Sequence, residues 1–164
     1  MSKTGLEDLR VCADYQFGAG AGVALFPPDR EQTIRRSSGG RPRQIIAGDV
    51  DETPGNPEGD RIVSYGTDGR FTLGITGGKR LHKEFSAPVW RITVGTESEP
   101  YVKDGRNAFA KFVTNADYSI RPGDEVLVVG KDDTLFGVGR ANLAGAEALA
   151  FGAGVAVAIR EGIS

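Results

Sequence analysis

Short apolar segments separated by turn residues fill the second half of the sequence, and they constrain its fold more than any other feature. A turn led by Gly105 precedes a small-residue helical turn and an apolar strand start at residues 112–113. A Pro-Gly-Asp turn at residues 122–124 then introduces an uninterrupted Val/Leu run at residues 126–129. Turns and strands at this spacing are typical of small closed or half-closed β-barrels. The sequence therefore predicts a mostly-β barrel, with residues 155–159 as its last strand.

The composition fits a globular protein of one mid-sized domain or two small ones. The 164 residues are 39% hydrophobic and 26% charged, which is ordinary for a folded chain with a real core. The 24 glycines indicate many turns and close strand contacts, so an all-helical fold is not expected. A net charge of -2 argues neither for nor against a nucleic-acid partner, because a mildly acidic chain can still carry a basic face.

The sequence contains one cysteine, Cys12, and one histidine, His82. A disulfide framework or a zinc site of Cys and His ligands cannot be built from them within one chain. We interpret Cys12 as a buried thiol on an early helix and His82 as a partly exposed helix residue, and we expect no catalytic residue, metal or cofactor. The sequence has no apolar run suited to a signal segment or a membrane span, so we expect a cytoplasmic protein.

The first half of the chain predicts a compact α+β domain. A capping box formed by Thr4 and Glu7 predicts a helix that runs to about Tyr15. Four strand-like segments follow, and an Asp-Gly turn at residues 68–69 joins the last two. Residues 77–85 fit a second helix with its cations on the exposed side. A helix, four short strands and a helix together make an α+β unit.

The glycine-rich segment at residues 17–22 has the composition of a dinucleotide-binding fingerprint. That fingerprint requires a strand before it and a helix after it. Here no strand precedes the segment, and residues 23–26 resemble a strand where a helix is required. We therefore expect no cofactor at this position.

An Ala-Pro pair at residues 87–88 interrupts the pattern. We place a domain boundary there, with the α+β domain at residues 1–86 and the barrel domain at residues 87–164. The strand predicted at residues 89–94 contains Trp90, the only tryptophan. We interpret Trp90 as a core or domain-interface residue, because it would otherwise expose a large apolar area.

Four arginines within nine residues form the densest positive charge in the sequence: Arg35, Arg36, Arg41 and Arg43. They lie on the tip and flanks of a predicted β-hairpin. Guanidinium groups donate paired hydrogen bonds to phosphate oxygens, so the hairpin is a candidate phosphate contact, with Arg41 and Arg43 as its binding residues. A solvated hairpin tip is the alternative, and the sequence favours neither.

Several segments together resemble a known family. In chain order they are residues 13–18, the arginine-bearing strand pair, and residues 67–73, 77–85, 89–94, 105–113, 120–129 and 136–141. The later segments resemble the PUA domain, the RNA-binding module named for pseudouridine synthases and archaeosine transglycosylases. The earlier ones are similar to the domain that precedes PUA in archaeosine tRNA-guanine transglycosylases. The catalytic barrel of those enzymes would need more than about 200 further residues, and no segment here replaces it.

The resemblance implies which residues contact RNA, since the glycine-led turn of the family touches the acceptor end of tRNA. The implied inner contacts are Lys103, Gly105, Arg106, Lys111 and Phe112, and the outer candidates are Arg140, Asn142 and Arg160. We expect Ala108 and Ala110 to let an RNA backbone approach closely. Period-two alternation assigns other residues to the barrel core, namely Phe109, Val113, Val126, Val128 and Leu135. A last helix at residues 143–151 is expected to pack through Leu143, Ala146 and Ala150.

These observations predict a two-domain, non-catalytic RNA-binding protein that recognises structured RNA, tRNA in particular, and acts in tRNA modification. An alternative is a non-catalytic subunit of a split archaeosine tRNA-guanine transglycosylase with a catalytic partner protein. In that case Phe85, Trp90 and the acidic segment at residues 50–60 are candidate interface elements. A translation-associated PUA factor is a third interpretation.

Overall fold

A computed structural model describes residues 4–48 and 60–163 and divides the chain into two compact units, Met1–Glu84 and Phe85–Ser164. The predicted class is confirmed, since an α+β unit is followed by a mostly-β, barrel-like unit. The domain boundary placed between residues 86 and 87 stays a prediction. The acidic segment at residues 50–60 lies, except for Asp60, outside the described residues.

The first unit places its helices before and after a four-stranded sheet. In chain order its elements are α1 (Leu6–Phe17), α2 (Ala21–Leu25), β1 (Gln32–Arg36), β2 (Pro42–Ala47), β3 (Arg61–Tyr65), β4 (Phe71–Leu73) and α3 (Ile75–Glu84). The strands pair in sequence order, each antiparallel to the next. Both predicted hairpins are present, and the turn before β4 carries Gly69 at φ +78°, where glycine is favoured. Buried apolar side chains fill this unit, and the Phe26 and Phe71 rings lie 5.8 Å apart.

The strand predicted at residues 23–26 is wrong, because residues 23–25 belong to helix α2 and Phe26 follows its end. A Cβ added at Gly22 would collide with the backbone of Arg10, so α2 packs directly against α1. The Asp14 side chain accepts a hydrogen bond from the Gly22 amide at 2.7 Å. This contact between distant residues overrides the local strand preference of Val23.

Two further predictions at the first helix need correction. The capping residues lie one position later than predicted, because Gly5 precedes the helix and its amide donates to Asp8 Oδ2 at 3.0 Å. Cys12 lies on α1 as expected, but it is half-buried rather than buried. Its Sγ atom is 3.8 Å from the Tyr65 hydroxyl.

The second unit is a strongly curved six-stranded sheet with two short helices. Its elements are β5 (Arg91–Val94), α4 (Glu99–Lys103), β6 (Ala108–Phe109), β7 (Val113–Ala116), β8 (Glu125–Val129), β9 (Leu135–Ala141), α5 (Gly145–Ala150) and β10 (Val155–Gly162). The strand order is β6-β10-β9-β8-β5-β7, and only β5 and β8 are parallel. A single 3₁₀ turn, Ala110–Phe112, connects β6 to β7. Because these two strands end the sheet on opposite sides, the short connection requires the sheet to curl into a nearly closed barrel.

Close strand packing inside the barrel depends on glycine, as the high glycine content of the sequence predicts. A Cβ added at Gly139 would collide with the carbonyl of Ala158 on the neighbouring strand. The barrel interior is apolar, with Ile92, Val102, Val126, Val128 and Val157 buried. Trp90 packs against this core, while the strand predicted to begin at residue 89 begins only at Arg91.

Several core assignments in the second unit are wrong. Phe109 is 45% exposed, whereas Ala108 and Ala110 are buried and offer no surface to an approaching backbone. Neighbouring residues of a strand face opposite sides, so placing Ala108 inside turns Phe109 outward. In the last helix Ala148 is buried, and Ala146 and Ala150 are exposed.

One ion pair crosses the barrel surface from β10 to β8. Arg160 occupies the point where the register of β10 against β9 shifts. Its guanidinium donates to both carboxylate oxygens of Glu125, through Nη1 to Oε1 and through Nη2 to Oε2 at 2.9 Å. Glu125 is only 4% exposed. A carboxylate held this deeply depends on its cationic partner, because an unpaired charge is poorly solvated there.

We therefore expect Arg160→Ala to lower the free energy of unfolding by about 3 kcal/mol. Urea unfolding followed by the fluorescence of Trp90 measures this effect, since Trp90 packs on the core of the same unit. Lys131→Ala, in an exposed turn of the same unit, is the control. Loss of this exposed side chain should change stability by no more than about 0.5 kcal/mol. Equal losses in the two variants would refute a structural role for the ion pair.

Candidate nucleic-acid interface

A cavity of about 750 Å³ opens on the second unit beside the connection from β6 to β7. Its lining comes from α4 and the residue before it, the turn that follows, β6 and the 3₁₀ turn. The lining residues are Ser98, Tyr101, Gly105, Arg106, Asn107, Phe109, Lys111 and Phe112. Four of the five predicted inner contacts are thus brought together, and only Lys103 is not part of the lining.

The turn after α4 positions one side of this cavity. Gly105 adopts φ +87°, a conformation that side chains disfavour, and the Arg106 amide then donates to the Tyr101 carbonyl at 2.9 Å. The Arg106 guanidinium carbon lies 5.9 Å from the centre of the Tyr101 ring. Its Nε atom is 3.5 Å from Asp104 Oδ2, and both side chains are more than two-thirds exposed. Such an exposed pair contributes little to stability, so Arg106 can exchange this partner at low cost.

The 3₁₀ turn supplies another part of the cavity lining. The Lys111 ammonium lies 4.9 Å from the centre of the Phe112 ring, and Lys111 is exposed. Phe109 and Tyr101 are 45% and 55% exposed. Exposed aromatic faces beside cations match the chemistry of single-stranded nucleic acid, whose bases stack on aromatic rings while cations bind its phosphates.

Lys103 is engaged within its own unit. Its ammonium lies 2.9 Å from Glu99 Oε2, one helical turn earlier, and 5.3 Å from the Phe136 ring centre. The side chain is 34% exposed. Its contact with RNA stays a prediction, but a ligand would compete there with Glu99.

The outer candidates lie on strands β9 and β10, away from the cavity lining. Arg140 and Asn142 are exposed at the end of β9, and the Asn142 amide donates to the Ala156 carbonyl at 2.8 Å. Arg160 holds the buried carboxylate of Glu125. The predicted RNA contacts of all three stay predictions.

Two arginines of the hairpin in the first unit donate hydrogen bonds to backbone carbonyls of that unit. Arg41 donates to the carbonyls of Pro42 and Gly66, and its guanidinium lies 5.2 Å from the Tyr65 ring centre. Arg36 donates to the carbonyls of Gly40 and Thr4, at 3.0 and 2.8 Å. Arg43 is exposed on β2. The hairpin stays a candidate contact, with Arg43 as its most accessible cation.

Sequence reasoning missed the two exposed aromatic residues of the cavity. Period-two alternation assigns Phe109 to the core, and no sequence pattern singles out Tyr101. Ala108 and Ala110 on either side of Phe109 were a sequence signal for its exposure. A narrow barrel favours alanine in its interior, which turns the residue between them outward.

Within residues 4–48 and 60–163, no cluster of His, Cys, Asp and Glu is suited to hold a metal ion. In the same ranges no helix combines the length and apolar character needed to cross a membrane.

Comparison with family models matches both units. A model described as the patch-forming domain C2 of tRNA-guanine transglycosylase matches residues 7–88, and a PUA domain model matches residues 90–163. Among solved structures, a hypothetical protein of Pyrococcus horikoshii OT3 has a TM-score of 0.69, at 18% identity, and the match covers 99% of this chain and 92% of that chain. A conserved PUA domain protein from Thermoplasma acidophilum has a TM-score of 0.62 at 18% identity. That match covers 97% of this chain and 91% of the other chain. At this identity the likeness shows the fold alone.

Closer sequence relatives are archaeal enzymes. The tRNA-guanine(15) transglycosylase of Pyrococcus furiosus is 41% identical over 152 residues, which are 92% of this chain and 24% of that protein. The enzyme of the same name from Methanothermobacter thermautotrophicus is 40% identical over 158 residues, which are 96% of this chain and 22% of that protein. The chain spans about a quarter of the length of these relatives and matches their C-terminal part. The chain therefore belongs to the tRNA-guanine transglycosylase C2 family, with a PUA domain following its C2 domain.

Proposed function

We propose that this protein binds structured RNA, tRNA in particular, through the cavity of its PUA domain, and that it serves tRNA modification in the cytoplasm. The observation that carries the proposal is the pairing of exposed cations with aromatic rings around one cavity of that domain, where Arg106 lies by the exposed Tyr101 ring and Lys111 by the half-buried Phe112 ring. The tRNA-guanine(15) transglycosylases related to this chain support tRNA as the ligand. We assign no catalytic step to the matched residues, which correspond to the C-terminal part of those enzymes.

Each group of the cavity has a role in the proposed complex. Arg106 and Lys111 contact phosphates, because their exposed charges have only weak partners in the free protein. Tyr101, Phe109 and Phe112 offer faces for unpaired bases, and one stacked base contributes roughly 1–3 kcal/mol.

Open space above the turn suits this arrangement. A Cβ added at Gly105 would meet no protein atom within 4 Å, so an RNA backbone can come close to this turn. Lys103, Arg140, Asn142, Arg160, Arg41 and Arg43 are outer contacts in this proposal. Lys103 and Arg160 would have to share their charge with Glu99 and Glu125.

Arg106→Gln combined with Lys111→Gln tests the proposal. We expect tRNA affinity to fall by at least about ten-fold, since a hydrogen bond to a charged group contributes roughly 1.5–3 kcal/mol. The slope of log affinity against log salt should flatten by about one unit for each phosphate contact removed. Both side chains are exposed, so the unfolding midpoint should stay nearly constant.

Arg121→Gln combined with Lys131→Gln is the matched control. It removes the same two charges from exposed turns of the same domain, outside the cavity. Wild-type affinity and salt slope in the Arg106/Lys111 variant, or an equal loss in the control, would refute the proposed site.

A second candidate function is a non-catalytic subunit of a split archaeosine tRNA-guanine transglycosylase. The specific observation in its favour is that both domains match the C-terminal part of enzymes about four times longer. Trp90 is a weaker interface candidate than the sequence suggested, because it packs against the core of its own unit. The translation-associated interpretation stays a prediction.

Purification of the tagged chain from native cells, with and without ribonuclease, tests the subunit interpretation. A catalytic transglycosylase polypeptide should then be recovered in stoichiometric amount, and ribonuclease should not release it, because the contact is between proteins. Recovery of RNA without such a polypeptide, or its complete release by ribonuclease, would exclude a stable subunit.

A further inference from the structure

The first unit has a basic concavity of its own. None of the residues that line it belongs to the arginine hairpin. It has a volume of about 290 Å³ and lies between the turn after α2 and the last turns of α3. Its lining residues are Ala24, Pro27, Asp29, Arg30, Arg80, Lys83 and Glu84. Three cations from two distant segments thus line this concavity, which is large enough for a phosphate group.

Arg80 is the fixed member of this group. Its Nη1 atom donates to the Leu25 carbonyl at 2.7 Å, which anchors the guanidinium beside the end of α2. Burial lowers the pKa of the Arg80 guanidinium, and the positive charge of Arg30 lowers it further. The two guanidinium groups are therefore close enough to repel each other while one of them is partly removed from water.

Lys83 adds a third charge on the same side of α3, since residues three apart on a helix share a face. Arg30 and Lys83 are both exposed, and neither forms an ion pair with another described residue. Two carboxylates also line the hollow. The Glu84 carboxylate is directed at Gly20, where its Oε1 atom would lie 3.0 Å from an added Cβ, and Asp29 is exposed in the turn.

An anion between these cations would relieve the repulsion of Arg30 and Arg80 and would complete their hydrogen bonds. Guanidinium forks match the oxygens of a phosphate group, and a partly buried site strengthens the attraction. We propose that this concavity binds a phosphate group, and that in the RNA complex the group is a backbone phosphodiester. The RNA part of this inference rests on the proposed function, whereas phosphate binding by the concavity does not.

A titration of the full chain with inorganic phosphate tests the concavity by itself. Sodium chloride at matched ionic strength is the reference, and the Nε–Hε signals of arginine in NMR spectra are the readout. We expect saturable shifts for Arg30 and Arg80 with phosphate only, and loss of the Arg80 shift in Arg30→Gln/Lys83→Gln. Arg80 is left in place because its hydrogen bond to Leu25 supports the fold. Unsaturated shifts, or equal shifts with chloride, would overturn the site.

Binding of tRNA by the same variant tests the source of the phosphate. We expect affinity about ten-fold lower and a salt slope smaller by about one unit, as for one lost phosphate contact. The Arg121→Gln/Lys131→Gln protein again controls for net charge. If the wild-type protein binds tRNA and Arg30→Gln/Lys83→Gln binds it equally well, the backbone assignment is wrong while the proposed function survives. If the wild-type protein binds no tRNA, the proposed function fails, and the phosphate titration still decides whether the concavity is an anion site.

Discussion

The three-residue connection Ala110–Phe112 links the two strands that end the six-stranded sheet, and the site depends on this link. Because β6 and β7 lie at opposite ends of the strand order, so short a link brings the sheet edges together and nearly closes the barrel. Closure fills the interior with Ala108 and Ala110 and leaves Phe109 and Lys111 outside. The geometry that completes the core thus also builds the rim of exposed aromatic rings and cations.

The fold, and not the density of charge along the chain, decides which cations of this protein are available to a ligand. Arg36 and Arg41 stand in the densest basic segment, yet they donate to carbonyls of their own unit. By contrast, the exposed Arg30 and Lys83 come from two distant segments and line one concavity together with Arg80. A charged side chain whose hydrogen bonds are already made within the fold has fewer donors left for a ligand. The contacts of a cation in the structure therefore indicate a binding role better than the density of charge along the sequence.

Features set by local turn chemistry could be predicted from the sequence, and features set by distant contacts could not. The Asp-Gly turn before β4 and the Pro-Gly-Asp turn before β8 fix strand ends through residues that are adjacent in the chain. The local pattern predicts a strand in place of helix α2, because the contact of Gly22 with Arg10 that favours the helix lies outside any local window. The pairing of Arg160 with Glu125 could not be predicted either, because the two residues are 35 positions apart in the chain. Four of the five predicted inner contacts line the cavity, and they were predicted from resemblance to the family and not from local turn chemistry.

Ultraviolet crosslinking of bound tRNA, with mass spectrometry of the crosslinked peptides, tests the central claim most directly. The claim is that bases stack on the aromatic residues of the PUA cavity. It predicts crosslinks within residues 101–112, at Tyr101, Phe109 or Phe112, because stacked rings lie in direct contact with the bases. Crosslinks confined to other parts of the chain, with tRNA still bound, would contradict it.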